Sequence, residues 1–115
     1  MDNFRITENY LVNNKVVVVS YNNADIGFYS FVINNEADLE LDYFFIHPNY
    51  IGKGLGRKMW DSCIETAGTY DMPYFVLWSD PNADRFYKAM NCVKIGERKS
   101  PVLPDRYPAL FKYSL

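Results

Sequence analysis

Apolar and polar positions follow two spacings along the chain, one typical of strands and one typical of helices. Val16–Val19 is a β-branched run that predicts a buried strand. Met59, Cys63 and Ala67 recur at helical spacing, with charged residues between them. In chain order, the pattern predicts a short turn or helix at 7–11, strands at 15–21, 26–33 and 38–46, a helix at 55–70, a strand at 74–78, a helix at 80–91, and strands at 93–98 and 110–113.

The predicted third strand alternates from its start. Leu39, Leu41 and Tyr43 fall on one face, while Glu40 and Asp42 fall on the other. An antiparallel strand with unlike faces buries the apolar face and leaves the polar one to solvent. We therefore expect the two carboxylates on an open side of the sheet.

Asparagine-rich turns join the first three strands, which predicts an antiparallel meander. The strand at 74–78 is almost continuously apolar and follows the long helix, so we expect it to lie parallel to the third strand. The order of elements predicts a single mixed α/β (α+β) domain over residues 1–115, with the meander joined to one β-α-β crossover.

Composition excludes several classes of protein. The chain has 115 residues and a formal charge of −2, so no basic surface indicates nucleic acid binding. Cys63 and Cys92 are too few for a disulfide framework and match no metal spacing, so we expect no metal. The first residues lack the apolar core of a signal peptide, and no apolar run is long enough to span a membrane. We expect a cytoplasmic protein.

A glycine-rich segment between the third strand and the long helix carries the strongest chemical signal. Residues 52–57 read Gly-Lys-Gly-Leu-Gly-Arg. Glycines let backbone N–H groups approach a ligand, and a helix N-terminus adds partial positive charge, which together suit a phosphate. The spacing fits neither the P-loop nor the dinucleotide fingerprint, because Arg57 stands where the latter needs glycine. The alternative is a turn that only joins strand to helix.

Two motifs in this order resemble those of the GNAT superfamily of N-acetyltransferases. The first is Phe45-Ile46-His47-Pro48, followed by Ile51-Gly52-Lys53-Gly54-Leu55-Gly56. The second is Asn82-Ala83-Asp84-Arg85-Phe86-Tyr87-Lys88, and the tail at 96–108 is similar to one bacterial subgroup. The resemblance covers about residues 15–115 and implies the acyl-CoA N-acyltransferase fold, with acetyl-CoA as the acetyl donor.

The chain departs from the family pattern in two ways. Ile51 stands where the family usually has Gln or Arg, and Asn91-Cys92 replaces the usual Gly-Phe. The helices that family members carry between their first two strands are also truncated here. Because those helices form a wall of the acceptor site, we expect this site to be open or completed by a second subunit in a homodimer.

The resemblance implies a set of residues that bind the donor. Backbone amides of Phe44, Phe45 and Ile46 would hold the acetyl carbonyl and the pantetheine chain. Asn82 would hydrogen-bond the pantetheine, although it also suits a helix cap. The diphosphate would lie on the loop of Gly52, Lys53, Gly54, Leu55, Gly56 and Arg57.

The resemblance also implies catalytic groups. Tyr87 matches the family's general acid, although a tyrosine there also anchors a helix to the sheet. Glu40 is the first candidate for the base that deprotonates the amine, with Asp42 and Asp80 as competitors, and water chains could replace a single base. His47 fits a strand end better than a catalyst, and the pattern places Cys63 in the core.

The predicted function is therefore acetyl transfer from acetyl-CoA to an amine of a small molecule or a protein. The alternatives are a non-catalytic module that binds acyl-CoA as a sensor or docking domain, and a plain structural domain. Turnover separates the first from the second, and cofactor binding separates both from the third.

Overall fold

The β-branched and aromatic segments form one seven-stranded sheet in a computed structural model that describes residues 4–11, 14–98 and 107–115. The strand order is β1-β2-β3-β4-β5-β7-β6, and only the β4–β5 pair is parallel. The elements are β1 (Arg5–Leu11), β2 (Asn14–Tyr21), β3 (Ala24–Ile33), β4 (Leu39–Ile46), α1 (Leu55–Gly68), β5 (Tyr74–Ser79), α2 (Asp84–Ala89), β6 (Val93–Glu97) and β7 (Ala109–Ser114).

The first strand differs from the sequence prediction. Residues 7–11, expected as a turn or helix, belong to β1, which pairs with β2 from Arg5↔Ser20 to Leu11↔Asn14. The segment has no strand pattern of its own, because its extended form depends on backbone pairing with the valine-rich neighbour. Only two positions separate β1 from β2 along the chain.

Strand β4 contains a bulge that reverses its predicted alternation. Tyr43 pairs with Ser30, but Leu41 pairs with Phe31, so Asp42 has no residue opposite it. A bulge moves every later side chain to the other face. The prediction that Tyr43 shares a face with Leu41 is therefore wrong: Tyr43 is 60% exposed and Leu41 only 4%.

Strands β4 and β5 begin side by side and then separate. Their parallel pairing, confirmed as predicted, consists of Leu39↔Phe75 and Glu40↔Val76 alone. Beyond these pairs, β5 continues along β7 while β4 continues along β3. The sheet is therefore split over the second half of both strands.

Both described helices lie on one face of the sheet. Met59 and Cys63 of α1 are fully buried, and Trp60 packs against Phe75 of the sheet and Phe86 of α2. The Tyr29 hydroxyl hydrogen-bonds two side chains of α1, Ser62 (2.6 Å) and Thr66 (2.8 Å). The opposite face carries the exposed aromatic side chains Phe28, Tyr43 and Phe45. None of the described helices is both long and apolar enough to cross a membrane.

Candidate functional site

The split between β4 and β5 opens into a cavity of about 400 Å³ on the helix side of the sheet. Eight of the twelve residues predicted for the site line it together. They are Phe44, Ile46, Gly52, Gly54, Gly56, Arg57, Asn82 and Tyr87. Ile51, Ala83 and Phe86 complete the lining, which we call the loop cavity.

Four predicted residues lie outside the loop cavity. The Phe45 side chain is exposed on the opposite face, and Leu55 is buried in the core. Lys53 is exposed, with its ammonium 5.8 Å from the centre of the Tyr50 ring. Glu40 lies near the start of β4, away from the cavity.

The glycine loop has the backbone geometry that close approach to an anion requires. Gly52 and Gly54 have φ angles of 85° and 77°, which side-chain-bearing residues rarely adopt. Gly54 is the N-cap of α1 and offers no side chain to its first N–H groups. These groups, with Arg57 beside them, give this end of the cavity a positive potential. Ile51, where a polar side chain was expected in the family pattern, adds only apolar surface.

The end of β4 presents backbone donors to the split. His47 donates its N–H to the Ile26 carbonyl of β3, and donors alternate in direction along a strand. The N–H of Phe45 therefore points to β3, whereas the N–H groups of Phe44 and Ile46 point to the side from which β5 has departed. Two of the three predicted amides face the cleft.

Tyr87 stands where the loop cavity meets the split. It is 7% exposed and packs against Phe44 and Trp60. Its hydroxyl has no hydrogen-bond partner among the described residues, yet it is not among their fully enclosed unpartnered atoms, so the oxygen keeps some accessible surface. Burial, with the thiols of Cys63 and Cys92 as smaller causes, raises the pKa of Tyr87 well above its ordinary value.

A second cavity of about 230 Å³, which we call the split cavity, lies between β4 and β5 and is lined by residues of both strands. It shares Phe44, Ala83 and Tyr87 with the loop cavity. Its polar lining includes Asp42, Ser79 and Asp80. The two cavities are therefore neighbours at Tyr87, one lined by the glycine loop and the other by two carboxylates.

The two candidates for a base on β4 occupy different cavities. Asp42, the bulged residue, lines the split cavity together with Tyr87. Glu40 lines a third cavity on the open face of the sheet and accepts a hydrogen bond from Asn34 Nδ2 (3.2 Å). The sequence pattern predicts both carboxylates on one face of the strand. It contains no sign of the bulge, so it could not predict that the two carboxylates line different cavities.

The remaining predictions concern local structure. The Asp80 side chain caps the turn at Pro81–Ala83 by accepting from the Asn82 N–H (3.2 Å), so Asp80 rather than Asn82 is the cap. The His47 ring accepts from the Asn49 N–H at the strand end. Cys63 is buried in the core, as predicted.

Comparisons with known proteins agree on one family. The sequence profile of the acetyltransferase (GNAT) family matches residues 2–91. A search of curated protein sequences finds no match.

Solved structures of acetyltransferases have similar folds at low sequence identity. A GNAT family acetyltransferase from Elizabethkingia anophelis with acetyl-CoA bound has a TM-score of 0.81 at 13% identity, over 100% of both chains. A protein from Bacillus anthracis str. Ames is described as a streptothricin acetyltransferase, and its structure is in complex with acetyl coenzyme A. It has a TM-score of 0.79 at 16% identity, over 98% of this chain and 85% of its own. The IAA acetyltransferase from Bacillus cereus has a TM-score of 0.74 at 16% identity, over 89% and 78%.

Proposed function

Because the chain belongs to the acetyltransferase (GNAT) family, we propose that it transfers the acetyl group of acetyl-CoA to a primary amine. The observation that carries this proposal is the position of Tyr87, whose side chain lines both the loop cavity and the split cavity. A donor bound on one side and an amine on the other would meet beside its hydroxyl. Both substrates would be bound together, and the amine would attack the thioester directly.

The loop cavity suits the donor. The diphosphate would accept hydrogen bonds from the first N–H groups of α1, with Arg57 as the nearby cation. The N–H groups of Phe44 and Ile46 would donate to the pantetheine chain and to the acetyl carbonyl. A donor aimed at the charge that develops on that oxygen is worth about 3–4 kcal/mol in favourable cases. Asn82, exposed at the cavity edge, would contact the pantetheine.

The reaction requires two proton movements. The amine nitrogen forms a bond to the carbonyl carbon, the carbon–sulfur bond breaks, and the sulfur leaves as a thiolate. Tyr87 would donate a hydrogen bond to this sulfur. Because burial raises the pKa of Tyr87, the phenol stays protonated at neutral pH. A thiolate with a pKa near the ordinary thiol value of about 8.5 is a weaker base than a phenolate, so its final proton comes from solvent.

Asp42 is better placed than Glu40 to accept the proton of the amine. It lines the same cavity as Tyr87, whereas Glu40 lies where β4 and β5 are still paired and lines a different cavity. A base must lie within hydrogen-bond reach of the proton it removes, directly or through one water. We assign the role of base to Asp42. Glu40 would instead contact the acceptor molecule.

Binding and turnover test the proposal in two steps. Calorimetry measures acetyl-CoA affinity, and release of free thiol measures turnover against a panel of amines. We expect binding, and thiol release that depends on the amine. Binding without turnover on any amine would contradict the proposal and favour the non-catalytic module. Failure to bind acetyl-CoA would contradict both the enzyme and the binding module, and would leave a plain structural domain as the remaining alternative.

A further inference from the structure

A third cavity, of about 380 Å³, lies on the open face of the sheet and extends the cleft. We call it the open-face cavity. It shares Trp78 with the split cavity, so the two cavities are neighbours at this residue. A molecule that enters from the open face would pass Trp78 before it reached Asp42 and Tyr87.

One wall of the open-face cavity is acidic. It carries the carboxylates of Glu36, Asp38 and Glu40. Two of them are held in place: the Tyr74 hydroxyl donates to Asp38 Oδ1 (2.6 Å), and Asn34 Nδ2 donates to Glu40 Oε1 (3.2 Å). Single hydrogen bonds leave further acceptor sites on each carboxylate for a ligand.

The facing wall is basic and aromatic. The Arg98 guanidinium carbon lies 4.0 Å from the centre of the Trp78 ring, and Lys112 Nζ lies 4.4 Å from that of Tyr74. Neither cation forms an ion pair with the acidic wall within the described part of the chain. The two rings position the cations, and neither cation is paired with a carboxylate of the acidic wall. Positive and negative groups of the cavity are therefore both available to bind a ligand.

Strand register places the charges of this cavity near the residue that it shares with the split cavity. Val76 pairs with Glu40 on one side and with Lys112 on the other, so the two opposite charges share one row across the sheet. Trp78 lies two residues further along β5, about 7 Å at the usual rise of a strand. An extended alkyl chain of the length found in lysine, laid along β5 from this row, would reach Trp78.

We propose that the open-face cavity binds the zwitterionic head of the acceptor, and that the acceptor is a free diamino acid of the lysine type. Its carboxylate pairs with Lys112 and Arg98, and its α-ammonium pairs with Glu40. Its side-chain amine extends past Trp78 to the thioester, where the nitrogen–carbon bond forms and the thiolate leaves, with the amine proton passing to Asp42. The inference rests on the acetyl transfer proposed above, and it adds the identity of the acceptor.

Four amines of equal reach test this assignment, with kcat/KM measured for each. Lysine has both head groups, 1,5-diaminopentane lacks the carboxylate, 6-aminohexanoate lacks the α-ammonium, and pentylamine lacks both. We expect each single deletion to lower kcat/KM about tenfold or more, since a lost charge-assisted contact costs about 1.4 kcal/mol or more. Pentylamine used as well as lysine would overturn the proposal.

Single substitutions test which wall of the open-face cavity binds each charged group of the acceptor. Lys112→Met should lower the activity on lysine and 6-aminohexanoate but spare the two amines without a carboxylate. Glu40→Gln should raise KM for lysine and 1,5-diaminopentane and spare the other two. Glu65→Gln, an equal charge change on the exposed face of α1, is the control and should leave all four amines unchanged. Equal losses on all four amines would overturn the assignment of either residue.

Binding separates this inference from the proposed function. The same amines are titrated by calorimetry into the protein saturated with coenzyme A. Lysine affinity that depends on Glu40 and Lys112, without turnover of any amine, would contradict acetyl transfer and support the cavity assignment. Turnover of other amines, with no binding of lysine, would support acetyl transfer and overturn the cavity assignment.

Discussion

At the scale of single residues, the account depends on a buried phenol that is open at its oxygen. Tyr87 owes its position to packing against Phe44 and Trp60, and its raised pKa mainly to burial. The same environment that keeps the hydroxyl protonated places it between two cavities. Its structural and chemical roles are therefore compatible, and only removal of the oxygen separates them.

Tyr87→Phe should lower kcat about 100-fold, the lower end of what the loss of one hydrogen-bond donor to developing negative charge costs. Acetyl-CoA affinity should change little, because the ring that lines the cavity remains. Steady-state kinetics and calorimetry measure the two quantities. Tyr113→Phe, a second ring packed against Trp60 but outside the cavities, is the matched control. An unchanged kcat in Tyr87→Phe would show that this hydroxyl does not stabilise the leaving thiolate.

Asp42→Asn should lower kcat for every amine by about 100-fold, because the base acts on the reacting nitrogen itself. The loss should shrink as pH rises, since more of the amine is then already deprotonated. Stopped-time assays over pH 7–10 with lysine and pentylamine measure both effects. A loss confined to Glu40→Gln, with Asp42→Asn active, would return the base to Glu40.

At the scale of elements, local sequence patterns were sufficient to predict some helices, strands and loops but not others. The helix α1 and the glycine loop before it were predicted because apolar spacing and successive glycines are local features. The strand β1 was not, since its form depends on pairing with β2. The bulge at Asp42 was not either, because Asp42 continues a regular alternation in the sequence and only the register with β3 reveals it.

The bulge also limited what the sequence could say about the site. It moves Phe44 to the helix side, where the ring lines the loop cavity, and leaves Asp42 in the split cavity. The resemblance to a family indicated, by their motifs, a loop and a tyrosine that line one cavity in the structure. It could not choose among the carboxylates of β4, because that choice depends on the register.

The close contact between β3 and β4 at Gly27 should tolerate no side chain there. A Cβ there would overlap the Phe45 carbonyl oxygen and lie 3.0 Å from the Met59 side chain. We expect Gly27→Ala to lower the free energy of unfolding by about 1–3 kcal/mol, measured by urea denaturation. Gly96→Ala, where the new Cβ would lie 3.9 Å from Leu110, is the control and should change it by less than about 0.5 kcal/mol. Equal stability of the two variants would contradict this packing.

At the scale of the whole molecule, the two sides of the sheet carry different arrangements of charge. The glycine loop and Arg57 make the donor side of the site positive, whereas the open side carries Asp42 and the acidic wall together with Arg98 and Lys112. A positive donor side favours the diphosphate, and an open side with both signs favours a zwitterionic acceptor. The homodimer expected from the truncated wall of the acceptor site stays a prediction, to be tested by analytical ultracentrifugation.

The core should make stability fall at alkaline pH. Burial raises the pKa of Cys63, that of Cys92 to about 12, and that of Tyr87. Above about pH 8.5 the unfolded chain loses thiol protons that the folded chain retains, so the free energy of unfolding decreases, by up to about 1.4 kcal/mol per pH unit for each group. Urea denaturation over pH 7–11 measures the slope. Cys92→Ala should reduce it, and a flat profile in the parent chain would contradict the burial of these groups.

The central claim is that the acetyl donor lies with its diphosphate on the glycine loop. Calorimetric titration of acetyl-CoA into the parent chain, Gly54→Asp and Gly68→Asp tests it most directly. Gly54 caps α1 at the cavity, whereas Gly68 is exposed at the far end of the same helix with open space around it. The account predicts that Gly54→Asp lowers affinity at least about 100-fold, since it sets a carboxylate against the diphosphate and strains a φ of 77°, and that Gly68→Asp binds like the parent. Equal affinity of all three proteins would contradict it.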